Sequence, residues 1–337
     1  MKNNYSNFKK PIEAIINSNT IDKEIITVNI LVDTYNKLCE DLFLDDLIEE
    51  NKKTTINGGI ALSSKHAKDC LEDPIRTARF LKGVYKALLV AKERFKNEKI
   101  TILYAGCGPL GPLIVPLLHL FSPDEIEIVL LDIHQNSIDS VKKIITELKY
   151  KAYIKEYIVA DATIFVYPKD KPLHIIITET MDKALTKEPQ VEITRNLGKQ
   201  LIDDGIFIPK KIEIKKGYSF FAKEVIFNLN DGFSKLIQKK QQEEKSNSTN
   251  LFSITNKIDS LNSFSFETDW ISVPSDYEET PDICLYTSLQ IFDNIYINES
   301  ESYITNPFCV KSLYNIKDKK YKLQYSTIGI PNWKVLQ

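Results

Sequence analysis

The stretch ITILYAGCGPLG, residues 100–111, decides how this chain folds. Its first half is a continuous apolar run rich in β-branched residues, which suits a strand covered on both faces. Its second half places Gly106, Gly108 and Gly111 where the backbone turns tightly and must approach a ligand with no Cβ in the way. A helix is expected to follow, and its first N–H groups would then face a nucleotide-like cofactor. Outward from this turn, EIEIVLLDI (125–133), YIKEYIVAD (153–161) and HIIIT (174–178) repeat the strand pattern. LIVPLLHL (113–120) and SVKKIITEL (140–148) supply helical segments between them. Strands alternating with helices predict a doubly wound, Rossmann-like α/β domain with a parallel sheet.

Upstream, Asp73 is an N-cap with Pro74 in the first helical position, and the pattern through Phe80, Val84 and Leu88 predicts a helix over about 74–96. Residues 1–60 carry apolar residues at helical spacing, including Ile30, Leu31, Tyr35, Leu38 and Leu42, and read as a helical cap that Asn57-Gly58-Gly59 ends. Downstream of GIFIPKKIEI (205–214) the helical signal fades. Short strand-like pieces follow: YSFFA, FSFET, LYTSLQIF and YKLQYSTIGI. The expected organisation is a cap at 1–60, a cofactor domain at 61–209 and a mainly β, barrel-like domain at 210–337. The polar run at 238–250 reads as an exposed loop.

A length of 337 residues allows more than one domain, and a formal net charge of −2 with scattered lysines disfavours nucleic acid as the main partner. Five separated cysteines without a CxxC pair fit neither a disulfide framework nor a zinc site. No metal is expected. The N-terminal residues lack a signal-peptide pattern and no apolar run approaches membrane-spanning length, so a cytoplasmic, membrane-free protein is expected.

Asp132 ends the next strand about 20 residues beyond Gly111, the spacing at which a carboxylate reaches ribose hydroxyls. A nicotinamide-dependent fold would show the same turn and acid. Two features favour S-adenosylmethionine instead. The helix at 74–96 precedes the first strand and carries Arg76, whose guanidinium can fork onto a carboxylate. The third strand ends in Asp161-Ala162, beside which an adenine edge can lie. At the end of the fourth strand Glu179 is placed at the binding crevice by topology, and Glu188 follows after a loop long enough to turn back. Two converging carboxylates suit a guanidinium or ammonium and would hold one nitrogen for attack. His66, His119, His134 and His174 show no metal spacing and read as structural.

These residues resemble the protein arginine methyltransferases. Asp73-Pro74-Ile75-Arg76-Thr77-Ala78-Arg79-Phe80 is similar to that family's D-x-x-R-T-x-x-[YF] segment, and Glu179-Thr180-Met181 with Glu188 resembles its double-glutamate loop. The resemblance implies cofactor contacts from Arg76, Gly106, Cys107, Gly108, Asp132, Ile133, Asp161, Ala162 and Glu179. It implies acceptor contacts from Glu179, Met181, Glu188 and Thr287, with Glu179 and Glu188 catalytic. Departures stand beside it. Tyr104 replaces an acid, Thr180 replaces an aromatic, and LYTSLQ (285–290) lacks the family's threonine-histidine-tryptophan loop. The expected function is methylation of a guanidino nitrogen in free arginine, a small molecule or a peptide, and a homodimer is compatible with it. Methylation of another small amine or carboxylate, an NAD-dependent oxidoreductase and an inactive binding domain stand as alternatives.

Overall fold

The computed structural model describes residues 8–49, 51–228, 248–258, 263–275, 279–317 and 320–337. The chain opens with helices α1 (Lys9–Ile16), α2 (Ile21–Asp41) and α3 (Asp45–Ile48). Thr20 caps α2 by accepting the Lys23 N–H, with Asp22 and Glu24 in the first turn where the helix dipole favours acids. Ile25, Val28, Leu31, Tyr35 and Leu38 form its buried stripe. Tyr35 meets Phe8 edge-on at 4.9 Å between ring centroids.

The expected helical cap does not run to residue 60. Strands β1 (Thr54–Ile56) and β2 (Gly59–Ala61) form an antiparallel hairpin instead, pairing Ile56 with Gly59. Asn57-Gly58 between β-branched residues is a hairpin turn rather than a helix stop, because Gly58 takes φ of 84°. Helix α4 (Ser64–Asp69) follows, and then α5 (Pro74–Arg94), with Asp73 accepting the Arg76 N–H at its start as expected. The Asp73 carboxylate also accepts from the Ser302 hydroxyl and the Tyr303 N–H, which ties the start of α5 to the C-terminal part of the chain.

The α/β core holds β3 (Ile100–Ala105), β4 (Ile126–Asp132), α6 (Gln135–Glu147), β5 (Ile154–Val159), β6 (Ile175–Thr178), α7 (Gln190–Gly198) and β7 (Ile206–Ile208). The five strands form one sheet in the order β5-β4-β3-β6-β7, every pair parallel. All of β3 and β6 is buried, as expected for central strands of a sheet covered on both faces. Ile102 and Tyr104 point into one apolar cluster with Val141 and Ile144 of α6. Leu103 and Ala105 point into the other, with Ile193 and Leu197 of α7. The chain goes from β3 to β4 on one side and reaches β6 on the other, so a crevice opens beyond the carboxyl ends of β3 and β6.

From Lys211 the chain is mainly antiparallel: β8 (Lys211–Ser219), β9 (Thr249–Ile254), β10 (Ser265–Glu267), β11 (Ile271–Ser272), β12 (Asp282–Phe292), β13 (Ile295–Ile297), β14 (Phe308–Ser312), β15 (Lys320–Ser326) and β16 (Asn332–Leu336). One sheet runs β13-β12-β8-β9 with β14 also on β12. The other runs β10-β15-β11 with β16 also on β15. The two share an aromatic cluster in which Phe252 lies 4.9 Å from Phe266 and 5.7 Å from Trp333, and Tyr325 lies 5.0 Å from Trp333. Residues 238–247 of the expected polar loop lie outside the described residues. Among the described residues no helix is long and apolar enough to cross a membrane.

Candidate active site

Beyond β3 the chain reverses on Gly106 and Gly108, with φ of 70° and 61°, a region that L side chains adopt only under strain. The Gly106 and Cys107 N–H groups both donate to the Leu131 carbonyl, at 2.8 and 3.1 Å, which ties the turn to β4. Gly108 N–H donates to one carboxylate oxygen of Asp132 at 2.8 Å, and His134 N–H donates to the other at 2.9 Å. A Cβ on Gly106 would sit 2.5 Å from Thr180 Cγ2, so the turn lies directly against the segment that follows β6. The helix expected after the turn is reduced to a 3-10 stretch, Val115–Leu120, because Pro112 and Pro116 remove donors from its first turns. The N-terminal dipole of a full α-helix is therefore missing here.

The turn opens on a cleft between the glycine turn, the ends of the strands and the segment that follows β6. Cys107, Ile133, Ala162 and Met181 line it with Gly106, Gly108, Asp132 and Asp161. Asp161 turns one carboxylate oxygen back onto the Thr163 N–H and hydroxyl, at 2.8 and 2.7 Å, and so also serves as a local cap. His134, which the sequence marks only as structural, lines the cleft and pairs through Nε2 with the Thr54 hydroxyl at 3.0 Å.

Arg76, Glu179 and Glu188 all line this cleft. The sequence places both Arg76 and Glu179 at the cofactor, and Glu179 at the acceptor too; the two form a buried ion pair with each other. Arg76 Nη1 also donates to the Cys70 carbonyl at 2.8 Å, while its buried Nε has no partner among the described residues. Glu188 is half-buried, and no hydrogen-bonding partner reaches its carboxyl among the described residues. Burial, and then Asp182, push its pKa up to about 8 against the pull of Arg76, Lys187 and Lys53.

The loop between the two glutamates is held in an unfavourable shape. Ala184, Leu185 and Lys187 have φ of 53°, 56° and 63° without being glycine. The C-terminal domain pins all three. Thr287 accepts the Ala184 N–H at 3.0 Å, Trp333 Nε1 donates to the Ala184 carbonyl at 2.9 Å, and the Tyr325 hydroxyl donates to the Leu185 carbonyl at 2.8 Å. Lys187 N–H donates to the Pro331 carbonyl at 3.1 Å. Thr287 is thus fully buried behind the loop and is not among the residues that line the cleft, contrary to its expected place against the acceptor. Trp333 and Tyr325 carry no signal in the sequence, since aromatics in a β domain read as ordinary core.

The hairpin closes the cleft from the other side. Ile56 and Ala61 line it, and Ile60 N–H donates to the Lys187 carbonyl at 2.8 Å. A Cβ on Gly59 would lie 2.6 Å from Pro189 N and 2.7 Å from the Glu188 carbonyl carbon, so this turn rests on the acidic loop.

No family profile matches the chain, and no curated protein matches it by sequence. Solved structures do. The chain is similar to Arabidopsis thaliana protein arginine methyltransferase 10 at 11% identity and a TM-score of 0.51, covering 81% of this chain and 96% of that one. It is similar to PRMT6, solved with SAH, at 8% identity and a TM-score of 0.50, covering 79% and 98%. The Trypanosoma brucei PRMT1 enzyme-prozyme complex with AdoHcy matches at 11% identity and a TM-score of 0.47, over 77% and 86%. The parallel sheet, its glycine turn and the appended antiparallel domain are together the fold of the protein arginine methyltransferases.

Proposed function

We propose that this protein is an S-adenosylmethionine-dependent N-methyltransferase whose acceptor is a guanidino nitrogen. One observation carries the reading: Glu188, which has no hydrogen-bond partner for its carboxyl among the described residues, lines the same cleft as a glycine turn, a ribose-spaced acid and a buried Arg76–Glu179 pair. Residues 61–209 form the cofactor part in this reading, 210–337 supply the residues that hold the loop, and the hairpin at 54–61 borders the cleft.

The residues suit the sulfonium cofactor. Gly106 and Gly108 leave the space that a Cβ would fill, and Asp132 offers the lone pairs left over from its two backbone donors to ribose hydroxyls. Ile133, Cys107, Asp161 and Ala162 border the place for the adenine. The orphaned Nε of Arg76 provides a donor for the methionine carboxylate. Bound there, the cofactor supplies a methyl group carried on a positively charged sulfur.

The protein's own part is to hold the acceptor and manage its proton. Glu179, already charge-paired with Arg76, and Glu188, both on the lining of one cleft, would offer oxygens to a planar guanidinium. Met181 supplies an apolar wall. A methylated guanidino nitrogen must shed one proton, and Glu188 in its ionised form, which gains population as pH rises toward about 8, can accept it. An NAD-dependent dehydrogenase needs no such carboxyl at this position.

The test is a thermal shift with S-adenosylhomocysteine and with NAD, followed by transfer of labelled methyl to arginine-like acceptors. Stabilisation by S-adenosylhomocysteine alone, with label on a guanidino nitrogen, is the expected result. Full methylation of every such acceptor by Glu179→Gln would remove the clamp from the mechanism.

A further inference from the structure

We infer that the acceptor is a free small molecule bearing a guanidino group, and not an arginine within a polypeptide. This rests on the methyltransferase reading above. A polypeptide must bring the chain on both sides of its arginine past the entrance and find partners for that backbone. Two observations deny it room.

The hairpin roofs the acidic loop. Gly58 packs so closely on Glu192 that a Cβ would stand 2.2 Å from its Cγ, and Gly59 rests on Lys187, Glu188 and Pro189. The Ile60–Lys187 and Thr54–His134 hydrogen bonds hold this roof at both ends. Among the described residues, every one that lines the cleft is buried or half-buried, so the way to Glu188 is narrow. Thr287, on β12, is committed to the Ala184 N–H and offers nothing outward.

The experiment compares kcat/KM for free arginine and small guanidines with that for the same arginine inside capped ten-residue peptides, using labelled cofactor. The expected ratio favours the free compounds by about a hundredfold, the order that pocket shape alone can enforce. Peptides methylated as well as the free compounds overturn the inference and leave the methyltransferase reading standing. Label on neither class, with S-adenosylhomocysteine still bound, overturns the guanidino reading and this inference with it. Ile60→Pro, which deletes the donor holding the roof to Lys187, is the second arm. With cofactor binding retained it narrows the ratio at least about tenfold, and an unchanged ratio would show that the roof is not the selector.

Discussion

Replacing Trp333 by Phe tests whether the C-terminal domain shapes the active-site loop. The phenyl ring keeps the contacts with Phe252 and Tyr325 but removes the single donor to the Ala184 carbonyl. A buried carbonyl left without its donor costs about 1–3 kcal/mol. The loop has little in reserve against that loss. Its three left-handed non-glycine residues cost about 1–3 kcal/mol each, while net gains of about 0.5–1.5 kcal/mol per hydrogen bond come from Thr287, Trp333, Tyr325, Pro331 and Ile60. The two sums are of similar size, so losing one pin lets Ala184 and Leu185 relax and moves Glu188. If the whole cost appears as lost positioning, kcat/KM for the acceptor falls about 5- to 150-fold. Steady-state kinetics at saturating cofactor, with calorimetry of S-adenosylhomocysteine binding, would measure it. Cofactor affinity should stay within about twofold of the parent. Thr287→Ser should keep activity because the hydroxyl acceptor survives, and Thr287→Val should lose it. A lowered melting temperature with unchanged kcat/KM in Trp333→Phe and Thr287→Val would refute the reasoning and reduce both residues to structural support.

Further outcomes follow from the same geometry. Glu188 has its pKa raised to about 8, and a cationic acceptor prefers the ionised form, so acceptor kcat/KM should rise with pH and level off above about 8, with Glu188→Gln flattening the profile. The sign for stability is opposite. Between about 4.5 and 8 the unfolded chain loses this proton while the folded chain keeps it, so Glu188→Gln should melt higher relative to the parent as pH rises through that window. Arg76→Met leaves Glu179 buried and unpaired and should destabilise the fold by about 3–5 kcal/mol in denaturant titrations. Adding Glu179→Leu should recover much of that stability without recovering S-adenosylhomocysteine binding. Gly106→Ala places a Cβ 2.5 Å from Thr180 Cγ2 at φ of 70° and should abolish the cofactor-induced thermal shift.

Much of the fold is legible from one dimension because it depends on local periodicity and backbone sterics. Apolar runs such as ITILYA and HIIIT can be strands buried on both faces, Asp73-Pro74 can begin a helix, and Gly106-Cys107-Gly108 can make the turn, whatever the rest of the chain does. Topology then carries Glu179 to the crevice. The hairpin at 54–61 is also within reach, since Asn57-Gly58 after Thr-Thr-Ile is a turn signal, but the long helical pattern before it makes the same glycines look like a helix stop.

Tertiary structure alone decided the partners. Arg76 and Glu179 stand far apart along the chain and meet only because α5 crosses the end of β6, so nothing local announces that their charges neutralise each other. Thr287, Tyr325 and Trp333 act on Ala184 and Leu185 through contacts that span more than a hundred residues, and their own sequence surroundings are those of any half-buried strand. The sequence by itself determined the parallel sheet, its glycine turn and the two glutamates, because strand burial and turn conformation are properties of neighbouring residues. Which charges pair and what roofs the acidic loop were decided by packing between distant segments, where short-range polar contacts form only after the chain has brought them together.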